Sequence, residues 1–310
     1  MTLPQRPLAG CAINLSISES DDSLQRGFPS SQVNRTTLQV VAALFGQGAS
    51  VVFGHDWRED GVMEAVYGFA RQVQAPIPLS PDQAAADAQP LLWNLLPWPD
   101  RPYLPERDLE QLSSTLRVEL AGLPKELQGF DGDARRVGPN NALYQYVRAR
   151  GLTFLRHRLN DASHVRFCLG GRVSGYAGRY PGVIEEAFLA IRDIKPLYLA
   201  GFLGGAAQQV VDALEGKKMP DDFCRPTPLQ RLYEEPVVKE SDRDTRDDRV
   251  IDRAAVWNVF AGAGREKTAA TNGLSIEEND ELYHTPVIDR AIELVLTGLS
   301  RLKPKLTGHN

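Results

Sequence analysis

Residues 165–186 read VRFCLGGRVSGYAGRYPGVIEE. Val165-Arg166-Phe167-Cys168-Leu169 has the length and the aromatic and β-branched content of a short buried strand. It breaks at Gly170-Gly171. A glycine-dense loop carrying Arg172, Gly175 and Arg179 follows, and Pro181-Gly182 then opens a helix with Glu185 and Glu186 in its first turn. Strand, glycine turn, helix is half of a βαβ unit. Glycine permits close backbone approach, and a helix N-terminus adds the positive end of a dipole. With arginine and carboxylate beside them, these features suit a small anionic or sugar-bearing ligand.

The same succession recurs on both sides of this stretch. Ala12–Ser16 reads as a first strand, followed by a polar loop over 18–31. Leu38, Val41, Ala42 and Phe45 mark an amphipathic helix over Asn34–Gly46, with Asn34 as its N-cap. Ala49–Phe53 is a second strand ending at Gly54-His55-Asp56, and Gly61–Gln74 a second helix. Proline punctuates 75–105, where Leu91–Leu95 predicts a strand. Arg117–Leu120 predicts another, and 121–139 reads as a loop rich in glycine and charge. Beyond it lie a helix over Asn140–Leu159, the Val165–Leu169 strand, a helix over Pro181–Ile194, a strand over Pro196–Ala200 and a helix over Gly204–Leu214. The remainder reads as helical at Pro228–Glu234, Val250–Ala261 and Pro286–Leu302, with a solvated charge run within 235–249. The expected fold class is α/β: a doubly wound, mostly parallel Rossmann-like sheet over 1–216, with a C-terminal helical extension, 217–310, packed on it.

The net charge of −5, from 35 basic and 40 acidic residues, argues against a protein that coats nucleic acid. No apolar run reaches the roughly 20 residues of a membrane span, and the N-terminus has no signal-peptide core. The three cysteines, Cys11, Cys168 and Cys224, are far apart, so neither a disulfide framework nor a metal site is expected. No cofactor is expected, and the cytoplasm is the expected location.

Three glycine turns follow three strands: Gly54-His55-Asp56, Gly170-Gly171-Arg172 and Gly201–Gly205. In a doubly wound sheet such turns share the carboxyl edge, where ligands bind. The geometry of short βα turns also demands glycine, so each turn alone is weak. Neither GxGxxG nor GxxxxGK[ST] is present, which removes support for NAD binding and NTP hydrolysis. The candidate ligand-binding residues are Ser16, Ser18, Gly54, Asp56, Arg156, Gly170, Gly171, Arg172, Gly175, Gly182, Gly204 and Gly205. Arginine suits phosphate, although exposed arginines are usually only solvated. Serine hydroxyls past the first strand could serve a phosphate or merely cap a turn. Glu185 and Glu186 either compensate the helix dipole or present one carboxylate to the pocket, where it would bond a ribose or act at an anomeric carbon. Ser275-x-x-Glu278 is a capping box that a helix start explains.

Taken together, Ser16-Ile17-Ser18, Gly54-His55-Asp56, Gly61, Arg156, Gly170-Gly171-Arg172, Pro181–Glu186 and Gly201–Ala207 resemble the SLOG superfamily. This is the Rossmann-like group named for melastatin-type TRP channels and "lonely guy" phosphoribohydrolases. The ending NGLSIEENDEL resembles a prokaryotic branch. The resemblance implies one of two activities. Sensor members bind ADP-ribose-like or cyclic nucleotides, often in antiviral defence, and pass the event to an effector, here expected on a separate protein. Phosphoribohydrolase members cleave the N-glycosidic bond of a nucleoside monophosphate with a glutamate and an upstream arginine. The alternative expectation is thus an N-glycoside hydrolase or transferase acting on a nucleoside monophosphate or an NAD-like nucleotide, in which that role would fall to Glu185 or Glu186 with Arg156. The segment 170–186 is longer than the hydrolase motif PGGxGTxxE, and Leu169 stands where that motif has its first proline, so the leading expectation is binding. A homo-oligomer is left open.

Overall fold

The computed structural model describes residues 6–54, 62–72, 91–101, 106–111, 115–221, 223 and 251–306. Among these, β1 (Ala12–Ser18), β2 (Ser50–Phe53), β3 (Leu92–Pro97), β4 (Leu116–Gly122), β5 (Val165–Gly170) and β6 (Leu197–Ala200) form one sheet in the order β4-β3-β2-β1-β5-β6. Every pairing is parallel. The chain steps outward from β1 to β4, then returns to lay β5 on the other side of β1. The strand order therefore reverses between β1 and β5, the place where doubly wound sheets open a crevice beyond their carboxyl ends.

Strand alternation sorts the core into two layers. Ile13, Leu15, Ile17, Val165, Phe167 and Leu169 face α1 (Ser30–Gly46), α2 (Val62–Gln72), α9 (Ile276–His284) and α10 (Ile288–Leu306). On the other face, Ala12, Val52 and Leu95 meet Leu155 and Leu159 of α5 (Ala142–Asp161). Beside them, Cys168, Leu197 and Leu199 meet α6 (Gly182–Arg192), α7 (Gly205–Leu214) and α8 (Arg253–Asn272). The helices after residue 250 thus share both layers with the sheet. The expected helix at Pro228–Glu234 and the charge run of 235–249 lie outside the described residues.

Some local expectations are corrected. Helix α1 starts at Ser30 behind Pro29, not at Asn34; Pro29 is extended (φ −65°, ψ 164°), and its carbonyl accepts the Gln32 and Val33 amides. The segment 121–139 is structured. It completes β4, forms a 3-10 turn over Lys125–Phe130 and then the helix α4 (Asp131–Val137), after α3 (Glu106–Gln111). Asp131 and Asp133 in the first turn of α4 and Arg135 and Arg136 in its last complement the dipole, and Leu127 and Ala134 anchor the segment. Helix α8 continues eleven residues beyond the expected Ala261, to Asn272, across a break at Gly264 (φ 62°).

Candidate functional site

At the switch point the turn after β1, the turn after β5 and the turn after β6 touch. The Gly171 amide donates to the Ser18 carbonyl at 3.0 Å, and the Ala206 amide to the Gly171 carbonyl at 2.8 Å. A methyl group on Gly170 (φ 61°) would overlap the Ser18 carbonyl, and one on Gly205 (φ 60°) the Gly171 carbonyl. These glycines are therefore required by chain packing on chain as well as by left-handed backbone. Gly54 ends β2 on the same edge, tight against Leu159. Its neighbour Asp56 lies outside the described residues, as do His55 and Gly61.

The loop between β1 and α1 fills part of the expected anion cradle. Asp21 Oδ2 accepts from the Val173 and Ser174 amides at 3.0 Å each, and Asp22 Oδ1 accepts from the Gly205 amide at 3.1 Å. Ser20 Oγ donates to the Leu203 carbonyl at 2.5 Å, and Arg26 pairs with Asp22 at 2.5 Å. Burial pushes the Asp22 carboxyl up, but hydrogen bonds from Arg26 and Ser20 outweigh it and hold the group below its ordinary value. The sequence reading missed both aspartates. Two adjacent acids in a polar loop carry no local signal of the amides they meet more than 150 residues away.

Beneath the crevice lies a buried polar cluster. Register pairs Asn14 with Arg166 and Ser16 with Cys168, and these side chains face α5 and α6. Arg166 is 0% exposed. Its Nη1 donates to Ser16 Oγ at 3.1 Å, to Glu186 Oε2 at 2.9 Å and to Asn14 Oδ1, while its Nε has no partner. Ser16 also donates to Glu186. Glu185, equally enclosed, accepts from Thr153 Oγ1 at 2.7 Å and pairs with Arg156, whose Nε stands 3.9 Å from Glu186. Two arginines and two glutamates thus balance in charge. Both glutamates are enclosed in ion pairs rather than left as exposed dipole compensators, and Ser16 turns its hydroxyl down into this cluster. Arg166, Thr153 and Asn14 were not singled out from sequence, although a polar residue at every second place of β1 and an arginine inside an apolar strand were the available signals.

Arg156 reaches from the cluster toward the loop. Its Nη1 would lie 2.5 Å from a Cβ on Gly178, and its Nη2 3.2 Å from one on Gly182. Arg172 is exposed on the loop and, among the described residues, forms no ion pair. Gly175 (φ 59°) is exposed at the loop tip, and Gly204 (φ 75°) precedes α7 against Asp22. Arg179 stacks 5.1 Å from the Tyr180 ring centroid. Arg253, at the start of α8, bonds Tyr176 Oη and lies 5.6 Å from its ring, so the C-terminal part closes one side of the loop. Cys168, behind the cluster, has its thiol pushed up to about 12 by burial and is no nucleophile. Asn279, on α9, bonds the buried Asn272 at the end of α8.

Among the described residues no group of three or more His, Cys, Asp or Glu side chains could hold a metal ion, and no helix is long and apolar enough to cross a membrane. A family model described as SLOG cluster2 matches residues 7–282. No curated protein and no solved structure matches the chain.

Proposed function

This chain belongs to the SLOG family, and we propose that it binds a nucleotide-derived ligand, ADP-ribose-like or cyclic, in the crevice between β1 and β5 and acts as a sensor whose output is carried by a separate effector. The observation that carries the reading is the contact of the β1, β5 and β6 turns at the switch point, with Arg172 exposed on the loop after β5 and Arg156 packed against Gly178 and Gly182 of that loop. Arg172 neutralises ligand charge there. The polar groups of the 170–182 loop and the Ser18 hydroxyl orient the sugar. The test is titration with ADP-ribose, cyclic ADP-ribose isomers and cyclic nucleotides, read by calorimetry and thermal shift. Binding that weakens in Arg172→Ala supports the reading. No stabilisation by any member of that panel removes it.

One observation favours glycosidic hydrolysis as a second reading: Arg156, which pairs with Glu185, packs against Gly178 and Gly182 of the loop. Glu185 or Glu186 would then activate water or attack an anomeric carbon. A general base needs an open, basic oxygen. Here Glu185 is taken by Thr153 and Arg156, and Glu186 by Ser16 and Arg166, so binding is the better-supported role. Release of free base from nucleoside monophosphates, lost in Glu186→Gln, would reverse that preference.

A further inference from the structure

The amides best placed to hold a phosphate already hold carboxylates of the same chain. Val173 and Ser174, inside the loop after β5, donate to Asp21, and Gly205, the first residue of α7, donates to Asp22. Backbone amides that bind a carboxylate oxygen at 3.0 Å bind a phosphate oxygen with the same geometry. Asp21 is exposed, and among the described residues it forms no ion pair; the amides are what hold it. Such a contact can be exchanged for another anion without stranding a buried charge. Asp22 is tied more firmly, to Arg26 and Ser20 as well. An N-terminal cap for α7 would need only one of these acids. The second engages a loop that is no helix end, and its capture ties two chain segments across the mouth of the crevice. At the turn of this segment Leu24 is 72% exposed, so nothing described covers it there.

We propose that residues 19–27 form a self-inhibiting strap, in which Asp21 and Asp22 occupy the anion positions of the crevice and a phosphorylated ligand binds by expelling them. The proposal rests on the crevice reading above and deepens it with a mode of regulation. Two consequences follow from competition for the same donors. The ligand's apparent affinity is reduced by the fraction of molecules whose strap is open. Binding also releases an exposed segment carrying Leu24, which converts occupancy into a change that a partner can read. A polyanion bound beside two retained carboxylates would be repelled instead. If the carboxylates held ribose hydroxyls directly, removing them would weaken binding, which is the opposite sign.

The experiment compares wild type with Asp21→Ala/Asp22→Ala, and with Asp21→Asn/Asp22→Asn, which keeps the shape and removes the charge should the alanine variant fold poorly. Inorganic pyrophosphate and ADP-ribose are titrated by calorimetry, and hydrogen exchange is followed over 19–27 and at Val173, Ser174 and Gly205. We expect the variants to bind both probes on the order of tenfold tighter, and ADP-ribose to speed exchange across 19–27 in the wild type. Equal affinity overturns the strap while leaving the crevice reading intact, and weaker binding by the variants overturns it in favour of direct ligand contact. Tighter pyrophosphate binding with no response to ADP-ribose supports the strap and removes ADP-ribose itself as the ligand. Binding of neither probe to any of the proteins sinks the strap, and the same result across the cyclic ADP-ribose isomers and cyclic nucleotides sinks the crevice reading as well.

Discussion

Replacing Arg166 by methionine should destabilise the fold by about 3 kcal/mol, the lower end of the roughly 3–5 kcal/mol that follows removal of one partner of a buried ion pair. Arg166 is fully enclosed and supplies a cation and three hydrogen bonds to Glu186, Ser16 and Asn14. Its loss leaves the Glu186 carboxylate, 14% exposed, with the Ser16 hydroxyl and with Arg156 at 3.9 Å. That residual cation is why the lower end applies. The pair itself is not a large net stabiliser: desolvation offsets much of its attraction, and the orphaned Arg166 Nε adds to the cost of burial. Arg166→Met/Glu186→Leu should therefore recover most of the loss, leaving about 1 kcal/mol from Ser16 and Asn14, which lose Arg166 but keep their 3.1 Å bond to each other. Urea unfolding with an unchanged denaturant slope reads these two variants and the single Glu186→Leu. Single variants costing under about 1 kcal/mol, or a double variant equal to the sum of the singles, would refute the account of a charge-balanced buried cluster. ADP-ribose binding retained by the double variant assigns Glu186 to the scaffold; its loss puts Glu186 in contact with ligand.

Gly205→Ala should cost at least about 2 kcal/mol and abolish ligand binding, because φ is 60° and the new methyl would run into the Gly171 carbonyl and Ser20; thermal unfolding and calorimetry read the two effects. Ile194→Gly should stabilise by about 0.5–1 kcal/mol. Ile194 holds the left-handed position ending α6 (φ 55°, 76% exposed), where an L-residue costs roughly 1–2 kcal/mol, partly offset by glycine's greater freedom when unfolded. A lower midpoint in urea than wild type would show that the isoleucine side chain packs usefully. The Asp22 carboxyl is held below its ordinary 3.8, so its stabilising contribution is complete above that pH and is lost as pH falls through the lower folded-state value. The stability gap between wild type and Asp22→Asn should stay flat from neutral pH to about pH 5 and narrow only below 3.8; a gap that closes near neutrality contradicts the contact.

The fold was legible where it depends on short-range pattern. The strands at 12–16, 49–53, 117–120 and 165–169 and the helices between them announced a parallel sheet by short strand-length runs alternating with helical periods, and all of them are present. Region 121–139 was not legible, because its helix is held by only a few buried residues among charges, and no apolar period marks it. The start of α1 at Ser30 was hidden because Pro29 enters the helix without a polar capping side chain. In the site, Gly170, Gly171, Gly204 and Gly205 stood out because left-handed backbone demands glycine, and that demand is written locally. What each glycine packs against was not.

Local sequence determined the element types, the parallel class of the sheet and which corners must be glycine, since periodicity and backbone sterics act over a few residues. Tertiary structure alone decided the partners. Strand order placed β5 beside β1 and so brought Arg166 to Asn14, Ser16 and Glu186, and the same crossing carried Asp21 and Asp22 onto amides of residues 173, 174 and 205. Charge and hydrogen bonding act through space, and the distance along the chain between these groups leaves no trace of their meeting until the sheet has formed.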